Sequence, residues 1–261
     1  MMFLQVLATE FIKLRRSKVT WGTLVAMALG PLGIGLFMWI LLEPGRAKQM
    51  GLLGTKADLS GLSATWPSLL SMLALIIGMA GTLILSFIVA YVFGREYAEQ
   101  TAKNVYGLPV KRSSFVLAKL VVALAWWLVL VVATLAEAFL LGAALRLPGF
   151  SAGVASAGVG NALLAALIAY LVVPPVAWVA TLGRGYMPPL GFALVTLALG
   201  NVFGKTGWAE LFPWSIIPLM VGSVGQPVAS LPAVSYLVIA LTFVAGVAAT
   251  IAQVRWADLA G

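Results

Sequence analysis

The chain has 261 residues, of which 62% are hydrophobic and 9% charged, with a formal net charge of +8 and a mean hydropathy of +1.07. A soluble domain carries about 25% charged residues, so a chain this poor in them cannot cover a water-facing surface and must live in a membrane. There is no Cys and no His, which excludes disulfides, thiolate and imidazole metal sites, and any nucleophile–histidine catalytic arrangement.

Residues 1–18 come first. On a helical projection Phe3, Leu7, Phe11 and Leu14 fall on one face, while Gln5, Thr9, Lys13 and Arg16 gather opposite, with Arg15 next in the chain. This pattern predicts a helix lying in the headgroup plane, oily side down and basic side toward the cytosol, in contact with membrane lipid. A positively charged topology anchor is the plainer reading, and the two roles are compatible.

A spanning helix needs about 20 mostly apolar residues. Six stretches qualify, at 19–42, 68–93, 118–145, 159–183, 187–204 and 233–254. The fifth is short and opens on Pro188-Pro189, which a helix start tolerates because the missing N–H would be unpaired there. The first is too long for a signal-peptide core, has no clear cleavage site and is followed by more spans, so a cleaved leader is not expected. Pro31 and the pair Pro174-Pro175 predict kinks in the first and fourth spans. The expected fold class is all-α, one polytopic membrane domain over residues 1–261 with six transmembrane helices.

Counting Lys and Arg at the span ends sets the orientation. With six spans the N-terminus, the loop 94–117, the turn at Arg184 and the C-terminus share one side. Eleven basic residues lie there, against five on the other side, at Arg46, Lys48, Lys56, Arg146 and Lys205. Both termini are therefore predicted to be cytoplasmic. This bias, together with anionic headgroups, accounts for the positive charge; it points to no nucleic-acid partner.

Between the second and third spans, residues 93–119 form a charged island with five of the sixteen Lys and Arg residues. Tyr97, Thr101, Asn104 and Leu108 recur at helical spacing, and Gly107 followed by Pro109 ends that helix, since proline disfavours helix in the residue before it. A second short helix is expected to start near Ser113 and feed the third span. The bland reading is a solvated loop with topogenic charges.

Glu137 is the ionisable residue set deep in a span, nine residues before Arg146, or about 13 Å from that end. A carboxylate there is costly unless neutral or paired. It could line a pathway, or be a protonated acid bonded to a neighbouring helix carbonyl. Segment 205–232 holds Trp208, Phe212, Trp214 and four prolines around an apolar run too short to span. It reads either as a re-entrant segment at the outer mouth of a pathway or as an interfacial loop with belt aromatics. Gly200–Thr206 approaches a phosphate-binding loop, but Leu199 stands where its first glycine is required, on the predicted outer side. It is a decoy, and its G-x-x-x-G spacing could instead allow close helix packing.

The order Gly94-Arg95-Glu96-Tyr97, Thr101, Lys103-Asn104, Leu108-Pro109-Val110, Arg112 and Lys119 resembles the cytoplasmic loop of six-span ABC exporter permeases of the bacitracin-resistance and lantibiotic-immunity type. The run Glu10-Phe11-x-Lys13-Leu14-Arg15-Arg16-Ser17 and Phe212-Pro213-Trp214-Ser215 are similar to that group as well. The resemblance implies that the loop after the second span is a coupling helix docking into a cytosolic ATPase. Arg95, Glu96, Tyr97, Thr101, Lys103 and Asn104 would then be docking residues, with Pro109 and Arg112 shaping the return to the membrane. It further implies two ATPase subunits carrying ATP and Mg, no cofactor on this chain, a second permease copy, and export of an amphiphilic or peptide-like cargo across the bacterial cytoplasmic membrane. A re-entrant segment before the last span belongs to the same resemblance.

Two rivals come from other classes. An ion-gradient-driven transporter would need polar midplane residues and often internal repeats, yet Glu137 stands nearly alone. An intramembrane aspartyl enzyme would need paired Asp, and Asp58 and Asp258 both fall in loops.

Overall fold

A computed structural model of the chain describes residues 2–51, 63–107, 109–221 and 231–256. Leu108, Lys56, Asp58, Pro227 and Asp258 lie outside the described residues. The described chain is helical: α1 Met2–Arg15, α2 Lys18–Leu42, α3 Pro44–Gln49, α4 Trp66–Ala98, α5 Ala102–Tyr106, α6 Arg112–Ala144, α7 Ala152–Leu171, α8 Pro174–Leu182, α9 Met187–Phe203, a 3-10 turn at Pro213–Ser215, α10 Ile216–Val221 and α11 Ala233–Trp256.

Six spans are predicted from the sequence; among the described residues five helical stretches are long and apolar enough to cross a membrane. They are α2, α4, α6, α7 with α8, and α11. α9 is shorter, at 17 residues, which is about 25 Å of helix. Two helices also reach beyond their predicted ends. α4 continues through Gly94–Ala98, and α6 starts at Arg112. The separate short helix expected near Ser113 is thus the first turn of α6 itself. Most of the predicted coupling helix is likewise redistributed: Arg95, Glu96 and Tyr97 finish α4, and only Ala102–Tyr106 forms a helix of its own. Gln100 breaks the chain between them with φ of 56°, a left-handed conformation unusual for a residue with a side chain.

α4 is the central element, packed against α2, α6, α7, α8, α9 and α10, while α2 and α11 leave most of their surface outside. Small residues allow this crowding. A Cβ on Gly81 would meet the Trp127 ring of α6 at 2.5 Å, and one on Gly158 of α7 would meet Leu70 of α4 at 2.6 Å. The buried indole N–H groups are satisfied across helices, Trp127 donating to Ala166 O at 2.9 Å and Trp126 to Thr23 Oγ1 at 3.1 Å.

The predicted proline effects divide. α2 runs unbroken through Pro31, whereas Pro174-Pro175 ends α7 at Val172 and starts α8. The bend is covered by α11, where Gly246 sits directly on the Pro174–Pro175 backbone.

The bundle has two distinct ends. At one, Tyr91 stacks on Tyr186 at 5.9 Å, Gly94 abuts Gly185, and Arg112 donates to the last carbonyls of α11, Val254 at 3.0 Å and Arg255 at 3.2 Å. The end of α4, the start of α6, the Arg184 turn and the end of α11 thus share one end with α1, the grouping that the Lys and Arg count requires. At the other end, Trp66 N donates to Pro148 O at 3.1 Å. There α10 runs inward. Ile216, Ile217 and Met220 are fully buried, and Ile217 fills the space beside Gly78, which lies about 18 Å along α4 from Trp66. The G-x-x-x-G at Gly200 and Gly204 is used inside the chain, since Gly200 lies against the Trp214 backbone and Gly204 against Pro218.

The bend predicts a contrast between two glycines. A Cβ at Gly246 would fall 2.6 Å from Pro175 N, whereas one at Gly33 meets nothing within 4 Å. Gly246→Ala is expected to lose about 1–3 kcal/mol by overpacking, seen as a lower unfolding temperature in detergent, and Gly33→Ala to lose none of it. Equal behaviour of the two variants contradicts the described α8–α11 contact.

Candidate functional site

The charged end of the bundle carries most of the residues singled out above. Arg95 leaves the last turn of α4, pairs with Glu99 one turn on at 3.0 Å and lies over the Tyr91 ring at 5.9 Å. Thr101 closes the bend, its N–H donating to Glu96 O at 2.8 Å. Beyond it α5 buries Ala102 and turns Lys103 and Asn104 outward; Gly107, Pro109 and Lys111 are exposed too. Tyr97 and Thr101 are half-buried, as is Arg112, held on the end of α11. Lys103, Asn104 and Pro109 are thus the surface of the loop, standing on a stem made of Arg95, Tyr97 and Thr101.

Glu96 is placed differently. It is 3% exposed and points into the seam between α1, α4 and α6. Four side chains meet there in a ring of alternating charge. Lys13 Nζ lies 2.6 Å from Glu10 Oε1 and 3.1 Å from Glu96 Oε1. Lys119 Nζ lies 3.1 Å from the same Glu96 oxygen and 3.5 Å from Glu10 Oε2. Lys119 also donates to Val92 O and sits 5.6 Å from the centre of the Phe93 ring. Two acids and two bases sum to zero, the condition under which charges can be buried at tolerable cost. Glu96 Oε2 is buried without a hydrogen-bond partner among the described residues. Beside it is a cavity of about 10 Å³ lined by Glu10, Lys13, Glu96 and Lys119, room for about one water.

The ring reorients α1. The sequence places Lys13 on a cytosol-facing polar side; the structure turns it inward, because Glu10 and Glu96 outbid water for its ammonium. Val6, Glu10 and Leu14 form the protein-facing stripe. Phe3 and Phe11, with Leu4 and Ile12, remain exposed beside half-buried Leu7, and Arg15 and Arg16 are exposed at the helix end. No oily-residue pattern could reveal this stripe, since its centre is a carboxylate. The signal available was Glu10 one helical turn from Lys13, matched by unpaired Glu96 and Lys119 elsewhere.

The residues expected along a pathway are not gathered into one place. Trp214 is buried in an aromatic cluster, 5.5 Å from Phe212 and 5.7 Å from Phe192. Trp208 faces outward, 65% exposed. Glu137 is half-buried on α6 with no ion-pair partner among the described residues. A feature not foreseen from the sequence is an apolar groove of about 460 Å³ between α2, α4 and α9, floored by Gly22, Thr23 and Ala26 and walled by Leu83, Phe87 and Leu194. Its sequence trace is the small pair Gly22 and Ala26, one turn apart.

Lys13 belongs to α1, outside the spans. Burial alone would lower its pKa; the hydrogen bond and charge of Glu10, with the charge and hydrogen bond of Glu96, outweigh that and raise it above the usual 10.5. A raised lysine contributes stability that is complete below its unfolded pKa and lost as pH climbs through the folded one. Docking of α1, followed with an environment-sensitive fluorophore at Ala8, is therefore expected to hold from about pH 7 to about pH 10 and to weaken only above about 10.5. Release near pH 8 contradicts the ring.

Residues 6–200, from α1 to the end of α9, match the family described as ABC-2 family transporter protein. The chain is also 29% identical over 184 residues to the bacitracin transport permease protein BCRB of Bacillus licheniformis, covering 70% of this chain and 88% of that one. With well over half of its length matched, the chain belongs to the ABC-2 family of transporter proteins, as a transmembrane permease subunit.

Proposed function

We propose that this permease is the membrane part of an ATP-driven exporter of an amphiphilic or peptide-like cargo, and that the exposed face of α5 and the following turn receives a separate cytosolic ATPase. The observation that carries the reading is the form of the charged end. Lys103, Asn104 and Pro109 project from a stem whose own charges are already paired within the chain. A surface knob on a stiff stem suits transmission of a push, which a floppy solvated loop would absorb.

In this reading α9 is the fifth of six spans, its shortness made up by the aromatic-rich segment beyond it, and both chain ends face the cytosol of a bacterial cell. The described part of segment 205–232, up to residue 221, re-enters from the outer side as α10. The exposed Phe3 and Phe11 face of α1 rests on the inner leaflet, with Arg15 and Arg16 among the headgroups. Two permeases and two ATPase subunits make the working unit, and ATP and Mg stay on the ATPase. This chain supplies a conformational change whose two states differ in which side they open to. The apolar groove between α2, α4 and α9 gives an amphiphile a place to enter sideways, in keeping with a relative named for bacitracin transport.

Co-purification tests the reading. A cytosolic ATPase subunit produced together with this chain is expected to remain bound in detergent and to be lost on Lys103→Glu with Asn104→Arg, a hot-spot effect of about 2 kcal/mol or roughly 30-fold in affinity. An undiminished complex in that variant contradicts docking at α5. Solute movement by vesicles holding this chain alone under a proton gradient would replace the exporter with a gradient-driven transporter.

A further inference from the structure

The four-charge ring lies outside the surface that receives the ATPase, yet it sits where that surface is rooted. Glu96 is the last inward-facing residue of α4 before the bend at Gln100, and its single engaged oxygen serves both Lys13 and Lys119. Through those two contacts the stem of the loop is tied to α1 on one side and to α6 on the other. Glu10 closes the ring by reaching both lysines, so no member can shift without leaving a like-charged or unpaired neighbour in a nearly dry seam.

We infer that Glu10 and Lys119 are positioning residues for energy coupling: they lock α1, the loop stem and the start of α6 into one rigid block. A displacement imposed at Lys103 and Asn104 then moves α1 and two spans together instead of bending the chain at Gln100. The inference rests on the ATPase-docking reading for its consequence, but its structural half stands by itself. The arrangement also explains why the ring is neutral and closed: a block that must move as a unit needs an interior that resists taking up water when strained. Glu96 Oε2, left without a partner beside its small cavity, marks the point where the ring would open first.

The chain has no cysteine, so labels can be placed at will. Spin labels at Thr9 on α1 and Lys111 ahead of α6, both exposed, report the block in the permease alone. The natural ring is expected to give one narrow distance distribution. Glu10→Gln and Lys119→Met, each leaving the ring with a net charge, are expected to broaden it. Lys119→Arg, which keeps the charge and the tie from α6 to the two acids, should stay narrow, whereas the double variant Glu10→Gln with Lys119→Met, neutral but without any ion pair to α6, should remain as broad as the singles. With the ATPase bound, each single variant should retain the complex but lose transport of a labelled bacitracin per ATP hydrolysed by about tenfold, the scale of coupling between linked sites. A narrow distribution in Glu10→Gln or in the double variant, or a broad one in Lys119→Arg, overturns the block. Failure of the unaltered chain to bind an ATPase overturns the function proposed above, while the distances still judge the block by themselves.

Discussion

Burying three formal charges, and half-burying Lys13 as the fourth, at one end of an apolar bundle is the constraint from which the rest of the charged end follows. Each ion leaves water at a cost of several kcal/mol, repaid only if every charge finds opposite neighbours in good geometry. Glu10, Lys13, Glu96 and Lys119 meet that condition by alternating around a ring. Because removal of one member would leave an uncompensated buried charge, costing about 3–5 kcal/mol, the ring forces α1, α4 and α6 to keep their register. Arg112 extends the same logic to α11 by satisfying the free carbonyls at its end, where the helix dipole favours a cation.

The two ends of the bundle solve different problems. At the charged end, paired side chains stiffen the approach to an exposed loop. At the other, α10 and the aromatic cluster around Trp214 plug the bundle with apolar groups, and small residues at Gly78 and Gly200 let backbone come close. Between them α4 is packed on nearly all sides and runs from the charged end to the plug. The half-open groove between α2, α4 and α9 borders that axis.

Hydropathy made the membrane class and the main spans legible, because a spanning helix must be long and apolar whatever it packs against. The ends of α4 and α6 were not legible. Charges at Arg95, Glu96 and Lys119 read as the start of water, but Arg95 pairs with Glu99 and Glu96 with Lys119, and the helices run on past them. The docking set suffered from the same limit: a list of polar residues cannot separate Glu96, turned inward, from Lys103, turned outward, until a partner on α1 is known. Helical periodicity placed the oily face of α1 where it is exposed, yet missed its protein-facing stripe, which depends on a contact between residues 10 and 119. Pro174-Pro175 was readable as a kink because two adjacent prolines remove two successive donors, whereas the single Pro31 leaves α2 continuous.

The central claim is that the loop carried by the charged ring faces the cytosol and is covered there by an ATPase. Replacement of Lys103 by cysteine in this cysteine-free chain, followed by a membrane-impermeant maleimide, tests it most directly. Labelling is expected in inverted membrane vesicles, absent in intact cells, and suppressed when the ATPase subunit is bound. Labelling from outside intact cells, or labelling in inverted vesicles that the bound ATPase leaves unchanged, would contradict the account.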